Sequence, residues 1–309
     1  MISIAIPAYN AGKYLAETVQ SVLSQTVTDW EMVIVDDGSQ DDTRSIAESY
    51  AGRDPRIRAA HQPNGGVAVA RNFGFSRASP RSEHVISLDS DDLREPEMLA
   101  VQTEALQRNS GAVGSYASAR YIDGAGRPVR EGALEEWIRG ERRRVCGDRL
   151  TACAPGELTG FDCFAVGPCV VTPGTLLIRR PVLEDVGGFD RAVTPAEDYD
   201  MNLRLTRRGG MVFIDRVLLD YRIHAANVSG NKRLLTRRER GSRRKQIASP
   251  ENTPEQKRLL VEGFRLRERE LYALRMRESL AGLRRDPGGS AKMFLYGQAN
   301  LLRSLHGRP

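Results

Sequence analysis

Residues 84–92 read HVISLDSDD, a short apolar run that passes directly into three carboxylates within four positions. Val85, Ile86 and Leu88 suit a buried strand, while Asp89, Asp91 and Asp92 do not, so the chain must leave the sheet at Asp89. The same shape recurs upstream. Ile2–Ile6 is apolar and breaks at Pro7-Ala8-Tyr9-Asn10-Ala11-Gly12; Trp30–Val35 ends in Asp36-Asp37-Gly38-Ser39; Ile57–Ala60 gives way to residues 61–66. Between these runs lie stretches of helical spacing. Tyr14–Gln25 puts Leu15, Val19, Val22 and Leu23 on one face; Thr43–Tyr50 follows a Ser/Asp-rich start signal; Val67–Ser76 follows Gly65-Gly66. Strand and helix in alternation predict an α/β fold with a mainly parallel central sheet flanked by helices. Ligands of such sheets bind beyond the carboxyl ends of the strands. The loops 7–12, 36–39, 61–66 and 89–92 are therefore expected to converge on one site.

The rest of the chain extends this pattern less regularly. A helix is expected over Glu95–Asn109, a strand over Ala112–Ile122 and a turn at Asp123-Gly124. Residues 125–168 are Arg-rich, without a clear period, and read as a variable insertion. Order returns with a strand at Thr175–Ile178, helices at Pro181–Val186 and Glu197–Arg208, and strands at Met211–Ile214 and Val217–Tyr221. Beyond residue 230 the composition shifts to Arg-rich helix, with Leu260, Phe264, Leu271 and Leu274 roughly on one face. The division expected is 1–230 as the main domain and 231–309 as a basic helical extension.

Charge tracks this division. From Lys232 onward there are 20 basic and 8 acidic residues, against 26 and 32 before it, so a mildly acidic body carries a strongly basic tail. Such a tail suits anionic partners. No window approaches the roughly 20 apolar residues of a membrane-spanning helix. The first residues lack the basic start of a signal peptide and read as a strand, so a cytoplasmic protein is expected. Cys146, Cys153, Cys163 and Cys169 have no CxxC spacing and are expected to be reduced thiols.

Several clusters admit both a chemical and a structural reading. Clustered carboxylates at Asp89–Asp92 attract a divalent cation, which would take one or two of them and complete its shell with water and phosphate oxygens. The same residues also suit a turn that caps the helix near Glu95. If the strand continued, Asp89 and Asp91 would point to one side. Asp36-Asp37-Gly38-Ser39 can accept hydrogen bonds from a base or ribose, or form an ordinary turn. Tyr9 can stack on a base or pack over the following helix. Glu197-Asp198-x-Asp200 opens a helix whose dipole favours carboxylates there; that field is expected to keep their pKa low and Asp198 ionised at neutral pH. His224 can ligate a metal or serve the fold.

The order of these pieces resembles glycosyltransferase family 2, whose catalytic domain has the GT-A fold. The resemblance lies in SIAIPAYNAGKYLAETVQSVLSQ at 3–25, EMVIVDDGS at 31–39, GGVAVARNFG at 65–74, ISLDSDDLREP at 86–96, TLLIRRPVLEDVGGFD at 175–190, AEDYDMNLR at 196–204 and YRIHAANVS at 221–229. It implies that Pro7, Tyr9 and Asp37 hold the nucleotide base and that Asp36 supports that loop. It places Arg71 near the donor diphosphate and gives Asn72 a structural role. Asp89 would contact the ribose or the metal's water shell, and Asp91 would bind the metal, Mn²⁺ or Mg²⁺, directly. Asp198 would be the catalytic base, positioned by Glu197, with His224 assisting at the metal; Asp92 is expected to help cap the next helix. The implied reaction moves one sugar, with inversion, from a UDP-, GDP- or dTDP-sugar to an acceptor hydroxyl, a hexosyltransferase activity serving cell-surface polysaccharide or glycolipid synthesis. Residues 125–168 and the tail lie outside the resemblance; the former read as a variable insertion or acceptor-side lid.

The QxxRW motif of processive members is absent, which points to single additions. A lipid-linked glycan acceptor would suit the basic tail, for which a peripheral contact at the inner face of the membrane, or a homodimer, is expected. No nucleic-acid partner is expected, because the tail has few aromatics for stacking bases. The rival classes are a nucleotide-sugar-binding protein without catalysis and another phosphate-handling α/β enzyme such as a nucleotidyltransferase. The latter needs a Gly-rich phosphate loop near the first strand, and residues 7–12 hold one glycine.

Overall fold

The computed structural model describes residues 1–130, 132, 134, 136, 138–140, 143, 157–225, 227 and 232–282. Alternation of β1 (Ile2–Ala8), α1 (Leu15–Leu23), β2 (Trp30–Asp36), α2 (Thr43–Ala51), β3 (Ile57–His61), α3 (Val67–Ser76) and β4 (His84–Ser87) builds one half of a sheet. β1 is buried at every position, as a central strand covered on both faces must be. Its ladder with β4 ends at Ala5 and Ser87, so Pro7 lies beyond the point where that neighbour needs a donor.

The second half contains β5 (Leu93–Arg94), α4 (Met98–Arg108), β6 (Gly114–Ile122), β7 (Leu158–Thr159), α5 (Phe161–Val166), β8 (Leu176–Arg179), α6 (Arg180–Val186), α7 (Glu197–Thr206) and β9 (Met211–Arg222). Strand order is β3-β2-β1-β4-β8-β6-β9-β5, with β7 also on β9. β1 to β4 pair in parallel, as do β6 and β9. β8 runs antiparallel between β4 and β6, and β5 and β7 run antiparallel to β9. The parallel expectation thus describes the long ladders, while the short strands that join them reverse direction.

Two expectations change here. Met211–Ile214 and Val217–Tyr221 form one strand; Asp215 and Arg216 are exposed at its middle, where the register with β6 shifts at Ala117–Ala119. The bulge breaks the hydrophobic pattern without breaking the strand. Within 125–168, β7 and α5 are regular, and Phe164 is fully buried.

The chain divides into two compact units. The first, Met1–Phe164 with Pro168–Ser242, contains the whole sheet. The second contains Ala165–Gly167 and the chain from Arg243 on. In the second, Leu260 and Phe264 of α9 (Pro254–Gly282) are buried, and Gly263 approaches the Ala165 carbonyl too closely for any Cβ. Arg243, on α8 (Lys232–Ala248), donates to the Ala165 and Val166 carbonyls at 3.1 Å each. The side chain of Leu274 lies outside the described residues. Cys163 and Cys169 are buried; Cys146 and Cys153 lie outside the described residues. Among the described residues no helix is long and apolar enough to cross a membrane.

α3 is seated on β1 by small residues. A Cβ on Gly74 would stand 2.8 Å from that of Ala5, closer than such atoms approach. Gly74→Val is expected to cost about 1–3 kcal/mol by overpacking, read as a fall in the urea midpoint. Gly111→Ala, where a Cβ meets nothing within 4 Å, should stay within about 0.5 kcal/mol of the parent.

Candidate active site

The carboxyl ends of β1 and β2 carry the first group of expected residues. Pro7 and Ala8 pair with Val35 and Asp36, and the Asp37 amide donates to the Ala8 carbonyl at 2.9 Å. Tyr9 stands out from this edge at 53% exposure. Asp36 is buried; its Oδ1 accepts from the Ser39 amide at 3.0 Å and its Oδ2 lies 3.4 Å from His61 Nδ1, so it shapes the turn after β2. Asp37 is also buried and uses both oxygens: Oδ1 accepts from Gln62 Nε2 at 2.7 Å and the Gly65 amide at 2.8 Å, and Oδ2 from the Gly66 amide at 2.9 Å. It therefore ties the turn after β2 to the glycines that start α3.

The second group is built around Arg71, one turn into α3. Its guanidinium is buried and forked between two carboxylates. Nη1 donates to Glu197 Oε1 and Nη2 to Asp89 Oδ1, both at 2.7 Å, and its centre lies 5.0 Å from the Phe189 ring. Burial opposes its charge, but Asp89 and Glu197 outweigh that and hold its pKa above the ordinary value. Asp89 also accepts from Thr172 Oγ1 at 3.3 Å. Asn72, the next residue on α3, donates to the Phe189 carbonyl at 2.7 Å and accepts from the Phe189 amide at 2.9 Å. A Cβ on Gly188 would collide with that amide side chain at 2.5 Å, which explains the second glycine of Gly187-Gly188.

Asp198, beside Glu197 at the start of α7, departs from expectation. Its pKa is pushed up to about 7, first by burial and then by the charge of Glu197. Arg71 and the Tyr199 amide, which donates to Oδ1 at 2.7 Å, pull in the other direction and do not prevail. The helix-end field is worth too little to offset desolvation beside a second carboxylate. The result is a carboxylate basic enough to hold a proton near neutrality.

A third group lies along the turn after β4. That strand ends at Ser87, so Asp89–Asp92 is a turn, with the Asp92 amide donating to the Asp89 carbonyl at 3.2 Å, and strand alternation does not place these side chains. Asp91 Oδ2 meets His224 Nε2 at 2.8 Å, and burial followed by the Asp89 charge raises the Asp91 pKa. The two are hydrogen-bonded to each other, so a carboxylate oxygen and an imidazole nitrogen stand together, donor types a divalent cation takes once the shared proton is lost. Among the described residues no cluster of three His, Cys, Asp or Glu side chains faces one point. A two-donor site fits a cation that takes its remaining ligands from water and phosphate. Asp92 does not cap α4, whose start at Glu97 has no side-chain cap. Instead Asp92 is buried, accepts from the Arg222 amide at 3.0 Å, and has its pKa raised well above the usual range by burial and then by Asp91 and Asp89.

Sequence pattern alone singles out neither Arg222 nor Thr172. Arg222 is fully buried and Thr172 nearly so. Arg222 stands within one of the family-like stretches, two residues before His224, and an arginine closing an apolar strand is the signal available. Thr172 gives no signal, since its loop has no period.

The sheet is that of the GT-A fold, and its carboxyl edge gathers carboxylates with the imidazoles of His61 and His224. The family model for glycosyl transferase family 2 matches residues 3–186, and the chain belongs to that family. Its relatives include the putative teichuronic acid biosynthesis glycosyltransferase TuaG of Bacillus subtilis, 32% identical over 75% of this chain and 82% of TuaG. They also include the chondroitin synthase of Escherichia coli, 29% identical over 75% of this chain but 30% of that protein. The chain thus spans less than a third of the length of the synthases it matches. Among solved structures, S. aureus TarS 1–349 in complex with UDP-GlcNAc superposes with a TM-score of 0.67 at 16% identity, over 98% of this chain and 81% of that one. A mannosyltransferase from Pyrobaculum calidifontis, in complex with GDP-Man and Mn²⁺, gives 0.61 at 16% identity, over 100% and 88%.

Removing the positive charge at the centre exposes its importance. Arg71→Met leaves Glu197 and Asp89 facing each other without compensation and is expected to cost on the order of 3–5 kcal/mol, measured by chemical denaturation.

Proposed function

We propose that residues 1–230 form the catalytic domain of an inverting, metal-dependent hexosyltransferase that moves one sugar at a time from a nucleoside-diphosphate sugar to an acceptor hydroxyl. The observation that carries this reading is Asp198, a carboxylate with its pKa near 7 beside the Asp89–Arg71–Glu197 bridge. A base is most effective when its pKa lies near the working pH. Tyr9, Pro7 and the Asp36–Asp37 turn offer a surface for the base, and Asp89 a carboxylate for the ribose or the metal's water shell. Arg71, whose charge is secured by its two carboxylates, lies near the diphosphate.

In this mechanism Asp198 takes the acceptor hydroxyl's proton as that oxygen attacks the anomeric carbon. The bond from carbon to the diphosphate oxygen breaks on the opposite face, which inverts the centre without a covalent intermediate. A Mn²⁺ or Mg²⁺ ion held by Asp91 and His224 would supply Lewis-acid neutralisation of the leaving diphosphate. Arg71 and Glu197 hold the reacting groups in register and set the charge around Asp198.

The relatives' names supply the biological setting. TuaG and the chondroitin and hyaluronan synthases suggest a role in cell-surface polysaccharide synthesis. Neighbours in complex with UDP-GlcNAc and GDP-Man favour a UDP- or GDP-sugar donor. The basic extension from residue 231 would suit a peripheral contact with an anionic membrane face, near a lipid-linked acceptor. Leu260 and Phe264 of α9 are buried, while Lys257, Arg258, Arg265 and Arg269 are exposed and offer a surface for such a contact.

Four outcomes test the proposal. Incubation with UDP-, GDP- and dTDP-sugars should give Mn²⁺-dependent release of nucleoside diphosphate from one class; release from none would favour a binding protein without catalysis. Asp198→Asn should bind donor as the parent does while transfer falls about 10²–10⁴-fold. Parent transfer should fall as pH drops below about 7, because the base is then protonated. The same raised pKa makes ionised Asp198 a cost to the native state that is complete above pH 7 and fades as pH falls toward the unfolded value. Asp198→Asn should therefore raise the Tm at pH 8 and by progressively less at acid pH.

A further inference from the structure

We propose that Arg222 is a positioning residue for the metal pair: its buried fork fixes Asp91 and His224 relative to each other and so sets the affinity for a divalent cation. This rests on Asp91 and His224 being the metal donors. Arg222 is 0% exposed, and its groups reach the turn that carries Asp91, the Asp123 turn and α1. Its Nε donates to the Asp91 carbonyl at 2.8 Å and its amide to Asp92 Oδ1 at 3.0 Å, which holds the turn directly after the Asp91 side chain. Nη1 donates to the Asp123 carbonyl at 3.3 Å and Nη2 to Glu17 Oε2 on α1 at 2.7 Å.

The other donor is held through Asn227. Asn227 Nδ2 donates to the Arg222 carbonyl at 3.1 Å, and its Oδ1 accepts from the His224 amide at 2.5 Å. Tyr14 completes the arrangement from the side: the guanidinium centre lies 4.7 Å from its ring centroid and the His224 ring 5.0 Å from it. The guanidinium thus grips the main chain of one donor and the ring against which the other's imidazole packs, while the backbone carbonyl of the same residue holds that imidazole's loop through Asn227. A lysine would keep the charge but offers one ammonium where the guanidinium reaches three acceptors in different directions.

Groups that orient metal ligands typically change metal affinity by about 10–100-fold when replaced. The test titrates the full chain with MnCl₂ alone, reading free Mn²⁺ by electron paramagnetic resonance and fold by circular dichroism. The parent should bind, Asp91→Asn should not, and Arg222→Lys should bind about 10–100-fold more weakly at an unchanged spectrum. Asn227→Ala, far from any charge change, should weaken binding in the same direction. A parent that does not bind Mn²⁺ overturns the metal reading and this proposal with it. A parent that binds, with Arg222→Lys and Asn227→Ala folded and within about twofold of it, overturns the role of Arg222 alone. Should Arg222→Lys fail to fold, Asn227→Ala and Glu17→Gln decide on the same scale.

Discussion

Arg71 between Asp89 and Glu197 is the interaction on which the rest of the site depends. The three residues come from α3, the turn after β4 and the start of α7, and the guanidinium joins them in a buried space. Removed from water, each charge alone would carry a large penalty; together they cost less, provided the geometry is good. The surroundings hold that geometry. Asn72 binds both the amide and the carbonyl of Phe189, and the Phe189 ring stands beside the guanidinium. Asp37 secures the glycines from which α3 starts. The edge of the sheet is thus a set of loops drawn together by carboxylates that are already committed, and Asp198 remains beside them with its proton loosely held.

Much of the fold is legible in the sequence because it arises from local pattern. Val67–Ser76 is helical over its predicted span because Gly66, at a φ of 85°, starts it and the sheet-facing residues recur at helical spacing. The ends of β1, β2 and β4 are legible because acids and glycine cannot continue a buried strand. The β9 bulge is not, since Asp215-Arg216 looks the same in sequence whether it closes a strand or leaves it for two residues. Nor is β5, two residues whose pairing with β9 depends on chain more than 120 positions away.

For the candidate site, residue types are legible and energies are not. Sequence points to Asp91 and His224, and the two meet. The helix field alone gives Asp198 a low pKa, because burial and the Glu197 charge enter only when the chain is folded. Aspartate is common at helix caps, yet Asp92 faces β9. Arg222 looks, in sequence, like any other arginine of a basic chain. What hides such residues is that an arginine's partners are set by tertiary approach, and its side chain is long enough to reach several of them.

The reversed direction of β8 has a consequence for how this architecture can change. β6 runs toward the carboxyl edge and β8 starts from it, so the chain between Ile122 and Leu176 departs and returns at the same rim as Asp89. Its later part is tied to the sheet by β7 and to Asp89 by Thr172, but the chain between Ile122 and Leu158 can lengthen without moving either, and the entropic penalty of a longer loop rises only slowly. That stretch is therefore an exchangeable fitting on a fixed bench. A lineage could trade it for another and meet new acceptors while the strands and the Arg71 bridge stayed as they are.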